Sequence, residues 1–254
     1  LWEKNISEIQ DEVPHIVTEW GYNEVFLQIF DDSYNVTNDF VNDNTVYVME
    51  QNNVIVGFWG LILHEQSAEL EFLYIDSGKI RMGYGRHLWN HMSEWCRLNN
   101  IKRIDFVTTV DWHEDHVLLK AAFPVDIRST NATYDIQFGN VERPTHKNTP
   151  WDAAKFEVCA HKFADYSEYG YGVSLMNDCK YGYDILDSRM RLTLLRAPTT
   201  PDSYGDLGYH SFTYSYYPHA GTWQTGGTVK EAFALNCPLK AIPVCEKNGT
   251  LPEI

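Results

Sequence analysis

The stretch that decides how this chain folds is IDFVTTVDWHEDHVLLK, residues 104–120. Its first half is a short apolar strand typical of α/β proteins, whereas its second half opens a region crowded with Tyr, Pro and Gly. We therefore expect two segments of different character to meet near Asp111.

Composition narrows the classes of protein that this chain can represent. The 254 residues are enough for one large domain or two small ones, and 44% hydrophobic residues are enough for a packed core. The net charge of −15 argues against nucleic acid, because phosphate binding requires clustered Lys and Arg. A solvated acidic surface without a specific partner is the simplest interpretation of that charge.

Cysteine usage and hydropathy indicate the compartment. The five cysteines are odd in number, widely spaced and free of C-x-x-C pairs, which argues against a disulfide framework or a zinc cage. No run approaches the roughly 20 apolar residues of a membrane span. These features predict a cytoplasmic protein with no membrane partner.

Periodicity in the first half predicts helices at both ends of an antiparallel hairpin. A capping pair at Ser7 and Gln10 opens an amphipathic helix, and a second amphipathic stretch covers residues 22–30. An Asn- and Asp-rich segment then predicts a loop. The later predicted elements are a hairpin (45–50 and 54–64), a strand (68–76), a helix (86–98) and a strand (101–109).

The sharpest motif joins the third strand to the helix: ELEFLYIDSGKIRMGYGRHLW, residues 69–89. Glycine is required where backbone approaches a ligand closely, because a Cβ would collide. The free N–H groups at a helix start carry the positive end of the helix dipole, so the loop could cradle a diphosphate. An ordinary glycine turn before a helix is the alternative.

Strand, glycine loop, helix and strand in this order, following a hairpin, resemble the GNAT superfamily of acetyl-CoA-dependent N-acetyltransferases over residues 3–109. The motif Q/R-x-x-G-x-G/A falls on residues 80–85, with Ile80 in place of Gln or Arg. The resemblance implies acetyl-CoA as cofactor, a small-molecule or peptide amine as acceptor, and backbone contacts from Leu73 and Ile75 to the pantetheine arm. It further implies a diphosphate held by Arg81, Met82, Gly83, Tyr84, Gly85 and Arg86.

Acetyl transfer to an amine requires a base that removes a proton. Glu69 and Glu71 alternate with apolar residues and are predicted to share one strand face, which makes them candidate general bases; a solvated strand face is the alternative. The Tyr that serves as acid in the family has no counterpart here. His87 and His91 lie four residues apart, as metal ligands can, but we interpret them as surface histidines and predict no metal site.

The second half loses helical periodicity. Alternating runs at 133–138 and 190–194, bounded by Gly and Pro turns, predict an antiparallel β-sandwich. Asp111, His113, Asp115 and His116 have the chemistry of metal ligands, but nothing in the pattern makes them converge, and a solvated surface is the simpler interpretation. Aromatic residues that could stack on a sugar, or else belong to the sandwich core, are Tyr169, Tyr171, Tyr181, Tyr183 and Trp223.

Several long blocks in the second half resemble the carboxy-terminal β region of family-38 glycoside hydrolases, the α-mannosidases of cytosolic and vacuolar type. They include DWHEDHVLLKAAFPVDI, VERPTHKNTPWDAAKFEV and MRLTLLRAPTTPDSYGDLGYHSFTYSYYPH, and the resemblance covers about 111–240. It implies that the nucleophile, and the zinc held by two Asp and two His, belong to a catalytic domain that this chain lacks. We therefore assign no mannosidase catalytic residue.

Together these patterns predict a mixed fold: an α/β (α+β) acetyl-CoA-binding domain over 1–109, lacking its closing strands, then an all-β sandwich-like region over 110–254. Residues 101–109 should be an unpaired sheet edge, because later strands were selected for another neighbour. We interpret the chain as a composite of an acetyltransferase-like module and a non-catalytic mannosidase region. The alternatives are a fragment of a zinc-dependent α-mannosidase with a structural or oligomerisation role, and an interaction protein that forms a homo-oligomer.

Overall fold

The structure is a computed structural model that describes residues 2–3 and 36–240. The two amphipathic helices predicted before residue 31 lie outside the described residues. The polar segment after them contains a short helix, α1 (Asn38–Asp43), and not only a loop. The Thr37 hydroxyl caps this helix by accepting a hydrogen bond from the Phe40 amide at 3.1 Å, which explains why a polar sequence is helical here.

Strands dominate the described part of the chain. The strands are β1 (Trp2–Glu3), β2 (Thr45–Gln51), β3 (Val54–Leu63), β4 (Ser67–Ile75), β5 (Arg103–Trp112), β6 (Leu119–Pro124), β7 (Asn131–Ile136), β8 (Gly139–Pro144), β9 (Val158–Cys159), β10 (Phe163–Glu168), β11 (Tyr171–Asn177), β12 (Gly182–Leu186), β13 (Arg189–Leu195) and β14 (Gly208–Ala220). The remaining helices are α2 (Tyr84–Leu98), α3 (Pro150–Ala154) and α4 (Thr228–Asn236). None of the helices in these residues is long and apolar enough to cross a membrane.

The elements predicted between residues 45 and 109 are present, with shifted ends. The hairpin β2–β3 turns at Asn52 and Asn53, whose φ angles of 55° and 63° suit the tight turn of a hairpin. Helix α2 buries Leu88 and Met92, as its periodicity predicts. Strand β5 continues three residues past its predicted end, so the change of sequence character near Asp111 falls inside one strand.

The expectation that residues 101–109 form an unpaired edge is wrong. Strand β14 pairs antiparallel with β5 from Gly208↔Trp112 to Tyr216↔Ile104. Among the described residues, this ladder joins the strands of both halves into one ten-stranded sheet of order β1-β2-β3-β4-β5-β14-β11-β10-β7-β8. The division into domains at residues 109 and 110 stays a prediction, although a single sheet crosses it.

The second half is a β-sandwich, as predicted. A four-stranded sheet of order β6-β13-β12-β9 packs on the β7, β10, β11 and β14 part of the large sheet. The core between them is continuous with the first half, because Trp89 of α2 and Phe106 of β5 pack against it. Phe123 of β6 lies at this junction, with ring centroids 5.4 Å from Phe106 and 6.0 Å from Trp89.

A buried ionic network fixes the ladder between β5 and β14. Arg103 donates two hydrogen bonds to Asp105, at 2.7 and 3.0 Å, and a third to Glu231 of α4 at 3.0 Å. Ser215 of β14 donates to Asp105 at 2.6 Å. Asp105 is 8% exposed, so its charge depends on these donors for the solvation that water would otherwise supply.

Ser215→Ala should therefore destabilise the protein by about 1–3 kcal/mol, because a buried carboxylate loses a hydrogen bond. The matched control is Ser211→Ala, which changes an exposed serine on the same β5–β14 ladder and should cost no more than about 0.5 kcal/mol. Urea unfolding of both variants measures the change in unfolding free energy from the shift in midpoint, provided that the dependence on urea concentration keeps the same slope. Equal midpoints for the two variants would show that the Asp105 network does not hold the junction.

Candidate functional site

Strands β4 and β5 separate, and a large cleft opens beside them. Their parallel pairing covers Ser67↔Arg103 to Glu69↔Asp105 and then stops, although both strands continue. Helix α2 starts beside the opening. The resulting cleft has a volume of about 1340 Å³ and is lined by both halves of the chain.

The cleft brings together some of the predicted cofactor residues. Leu73, Gly85 and Arg86 line it from β4 and the start of α2. The other predicted cofactor residues are not among its lining residues; they are Ile75, Arg81, Met82, Gly83 and Tyr84. The opposite wall includes Tyr171, one of the aromatic residues considered for sugar stacking, and Phe123, Tyr216 and His219, which the sequence did not indicate.

Glycine is required for different physical reasons at the two positions of the loop. Gly83 has a φ of +93° and is the N-cap of α2 without a side-chain hydrogen bond, and an added Cβ would meet no atom within 4 Å. Gly85 allows α2 to approach β4, because a Cβ there would lie 2.8 Å from Cδ1 of Ile75. The start of the helix is thus open at Gly83 and tightly packed at Gly85.

Other residues of this loop are held by polar contacts or lie in solvent. The Tyr84 hydroxyl donates to the Gln51 side chain at 2.7 Å. Met82 is 62% exposed, and Arg81 has a φ of +68°. These residues therefore place the loop at the surface, where a ligand could reach it.

The two candidate bases lie at an irregularity of β4. Phe72 pairs with Gly60 and Leu70 with Leu61, so Glu71 is an extra residue at a β-bulge. The bulge interrupts the alternation on which a shared face for Glu69 and Glu71 was predicted. Partial desolvation by its neighbours raises the pKa of Glu71, although the residue is exposed overall, and the neighbouring Glu69 charge raises it further.

The two helix histidines, His87 and His91, differ in their surroundings. His91 accepts a hydrogen bond from the Trp59 indole N–H at 3.2 Å and packs against the ring of Tyr47. Burial lowers the pKa of His91. His91 is thus partly buried and packed, which differs from its interpretation as a surface histidine, whereas His87 is exposed.

The candidate ligands after β5 do not converge. His113 pairs with Asp111 at 3.0 Å on the surface, whereas His116 contacts the Thr199 hydroxyl at 3.2 Å. Within residues 36–240, no group of three or more His, Cys, Asp or Glu side chains could hold a metal ion. Asp111, His113 and His116 therefore do not form a zinc site among the described residues.

A buried carboxylate–imidazole pair lies at the edge of the cleft, and sequence reasoning missed it. Asp165 and His219 are 2.7 Å apart, and Ser174 donates to the same carboxylate at 2.7 Å. Ser174 also contacts the Thr228 hydroxyl at the start of α4. Fifty-four residues separate Asp165 from His219, so no local motif could have indicated the pair.

Two aromatic residues considered for sugar stacking belong to the core. Tyr183 is fully buried between the sheets, and burial raises its pKa. Trp223 packs on Phe163 with ring centroids 5.9 Å apart. Tyr169 is exposed, and Tyr171 lines the cleft.

Comparison with known proteins assigns the family. The sequence profile described as "Glycosyl hydrolases family 38 C-terminal domain" matches residues 23–204. The chain belongs to this family. Its match begins before the predicted domain boundary and so includes much of the first half as well as the sandwich.

The chain spans a small share of the length of two proteins to which it is similar. Alpha-mannosidase G from Dictyostelium discoideum is 55% identical over 137 residues, which are 54% of this chain but 13% of the relative. The crystal structure of a family 38 protein from Enterococcus faecalis covers 83% of this chain and 27% of its own, with 16% identity and a TM-score of 0.52. The latter likeness shows the fold alone.

An acetyltransferase likeness is weaker. The paia N-acetyltransferase from Thermoplasma acidophilum, solved in complex with coenzyme A, covers 42% of this chain and 77% of its own. The identity is 16% and the TM-score is 0.38. At this score the likeness does not establish a shared fold.

The raised pKa of Glu71 predicts the pH dependence of a variant. A carboxyl whose folded pKa is raised stabilises the fold while protonated, and this stability is lost as pH rises through the folded pKa. Glu71→Gln should thus be more stable than the parent at pH 7, by less than about 1 kcal/mol since Glu71 is exposed. Near pH 4 and below, the difference should vanish.

Thermal unfolding midpoints between pH 4 and 8 measure this effect, with the exposed Glu114→Gln as the matched control. A Glu71→Gln protein that is less stable than the parent at neutral pH would show that the carboxylate is stabilised where it lies.

Proposed function

We propose that this chain acts as a non-catalytic supporting region of an α-mannosidase. The observation that carries the proposal is that the buried aspartates are engaged in hydrogen bonds within the fold. The three that the described residues bury are Asp105, Asp165 and Asp184, and each is held by partners from neighbouring strands. A retaining glycosidase instead requires two carboxylates that face a sugar about 5–5.5 Å apart.

The buried charges of the sandwich serve packing in the same way. Asp184 of β12 accepts from Lys120 of β6 at 2.6 Å and from Arg191 of β13 at 2.6 Å. Removing one partner of such a pair is strongly destabilising, so these residues are not free to take part in bond cleavage. Because the donors present do not fit zinc, we derive no catalytic step through that metal.

The supporting role requires a surface for another part of the enzyme or for a second copy. Large aromatic side chains are exposed around α3, where Trp151 is 81% and Phe156 is 71% exposed. Exposed aromatic groups are enriched at protein interfaces. This surface is where we expect the rest of an α-mannosidase or a homo-oligomeric partner to pack.

The supporting role predicts that this chain alone does not hydrolyse an aryl α-mannoside, with or without added zinc or cobalt. The expected release of the aryl group equals that of a buffer blank, since the buried aspartates are engaged by donors from other strands. A whole α-mannosidase is the positive control for the assay. Hydrolysis that depends on the metal and stops with chelator would contradict the proposal.

A second candidate function is acetyl-CoA binding in the cleft, with acetyl transfer to a small-molecule or peptide amine. The observation that favours it is the separation of β4 from β5 beside the uncapped start of α2. Free N–H groups at a helix start suit a diphosphate, and Arg86 adds a positive charge at the cleft wall. Of the two candidate bases, Glu71 has a raised pKa, although neither it nor Glu69 lines the cleft.

Calorimetric titration with acetyl-CoA tests this second function. Saturable heat is expected, and Arg86→Gln should weaken binding about tenfold because a charge-assisted contact to the diphosphate is lost. The matched control is Arg189→Gln, which removes an exposed arginine that lines neither cavity. No heat at millimolar acetyl-CoA would exclude the cleft as a cofactor site and leave the supporting role unaffected.

A further inference from the structure

A small second cavity lies at the open edge of the sandwich, apart from the large cleft. Its volume is about 30 Å³, and it is enclosed by β7, β8, α3, β9, β12 and β13. About 10–15 Å³ of such volume holds one water molecule, so the cavity is large enough for a small polar group but not for a large ligand. It shares no lining residue with the cleft between β4 and β5.

One arginine in this cavity is left with an unused donor. Nη1 of Arg143 is buried and has no hydrogen-bond partner. The guanidinium lies over the Tyr134 ring, with Cζ 4.8 Å from the centroid, and Arg143 makes no salt bridge among the described residues. A buried donor without a partner costs stability, which is why such donors usually have one.

The surrounding charge favours an anion as that partner. The lining residues include four permanent cations and two carboxylates, in a chain whose net charge is −15. The cations are Arg143, Lys147, Lys155 and Arg191, and the carboxylates are Asp152 and Asp184. The cavity therefore has a positive local electrostatic potential, although the protein as a whole is acidic.

Both carboxylates already have partners of their own. Asp184 is bound by Lys120 and Arg191. Asp152 accepts a hydrogen bond from the Thr149 hydroxyl at 2.8 Å, as part of the cap of α3. Neither is therefore available to satisfy Arg143. Burial also raises the pKa of Tyr134, so the ring beneath the guanidinium carries no charge.

We propose that this cavity binds an oxyanion group, a phosphate or a carboxylate, with the guanidinium of Arg143 as its buried donor and Lys147 and Lys155 at its mouth. Arginine suits this role because its planar N–H groups match the oxygens of both anions. The group could be a free ion or the end of a small ligand, since both present the same chemistry to the cavity.

Calorimetric titration of the whole chain with inorganic phosphate, at constant ionic strength in chloride buffer, tests the site. Saturable binding is expected, and Arg143→Gln should weaken it by at least about tenfold. Lys147→Gln should weaken it about threefold, because an exposed lysine contributes less. Arg189→Gln, which removes an exposed arginine outside the cavity, should bind phosphate as the parent does.

A parallel titration with acetate distinguishes the two anions, and the one that binds more tightly identifies the preferred group. If Arg143→Gln does not fold, the comparison of Lys147→Gln and Lys155→Gln with Arg189→Gln decides the question, since both lysines are exposed. Absence of saturable binding for both anions, or an equal loss in Arg189→Gln, would overturn the proposal.

Discussion

The pairing of β5 with β14 is the constraint on which the rest of this structure depends. Strand β5 holds the strands of the first half on one side and, through β14, the sandwich on the other. The buried carboxylate of Asp105 on β5 accepts hydrogen bonds from Arg103 of the same strand and from Ser215 of β14. Separating the strands would expose a row of backbone donors and acceptors and leave that carboxylate unpaired. Both halves are thereby committed to one sheet.

The same pairing shapes the cleft. Strands β4 and β5 part beyond Glu69 and Asp105, and β14 follows β5 along its far side, so the sandwich supplies the wall opposite α2. Phe123 enters this junction and contacts rings of both halves. A ligand in the cleft would thus contact the start of α2, including Gly85, on one side and aromatic side chains of the sandwich on the other. Neither half would form the cleft alone.

The chain belongs to the family 38 C-terminal domain family, and the contacts described above can be related to that family. The chain matches 13% of the length of one α-mannosidase relative, and the function proposed above is that of a supporting region within such an enzyme. A part of this kind contributes through its surfaces and its rigidity. The buried Asp165–His219 pair and the Lys120–Asp184–Arg191 group supply rigidity, because each joins several strands. The cavity at Arg143 lies at the surface beside α3 and its exposed aromatic residues.

The sequence by itself determined the local elements: the hairpin turn at Asn52 and Asn53, helix α2 with Leu88 and Met92 inward, and the alternating strands of the sandwich. These follow from short-range periodicity and turn chemistry. The bulge at Glu71, the β5–β14 ladder and the Asp165–His219 pair were decided only by the tertiary structure. The ladder and the pair join residues that are far apart in the chain, such as Asp105 and Ser215, which are 110 positions apart. No local pattern encodes which distant strand will supply the partner of a buried charge.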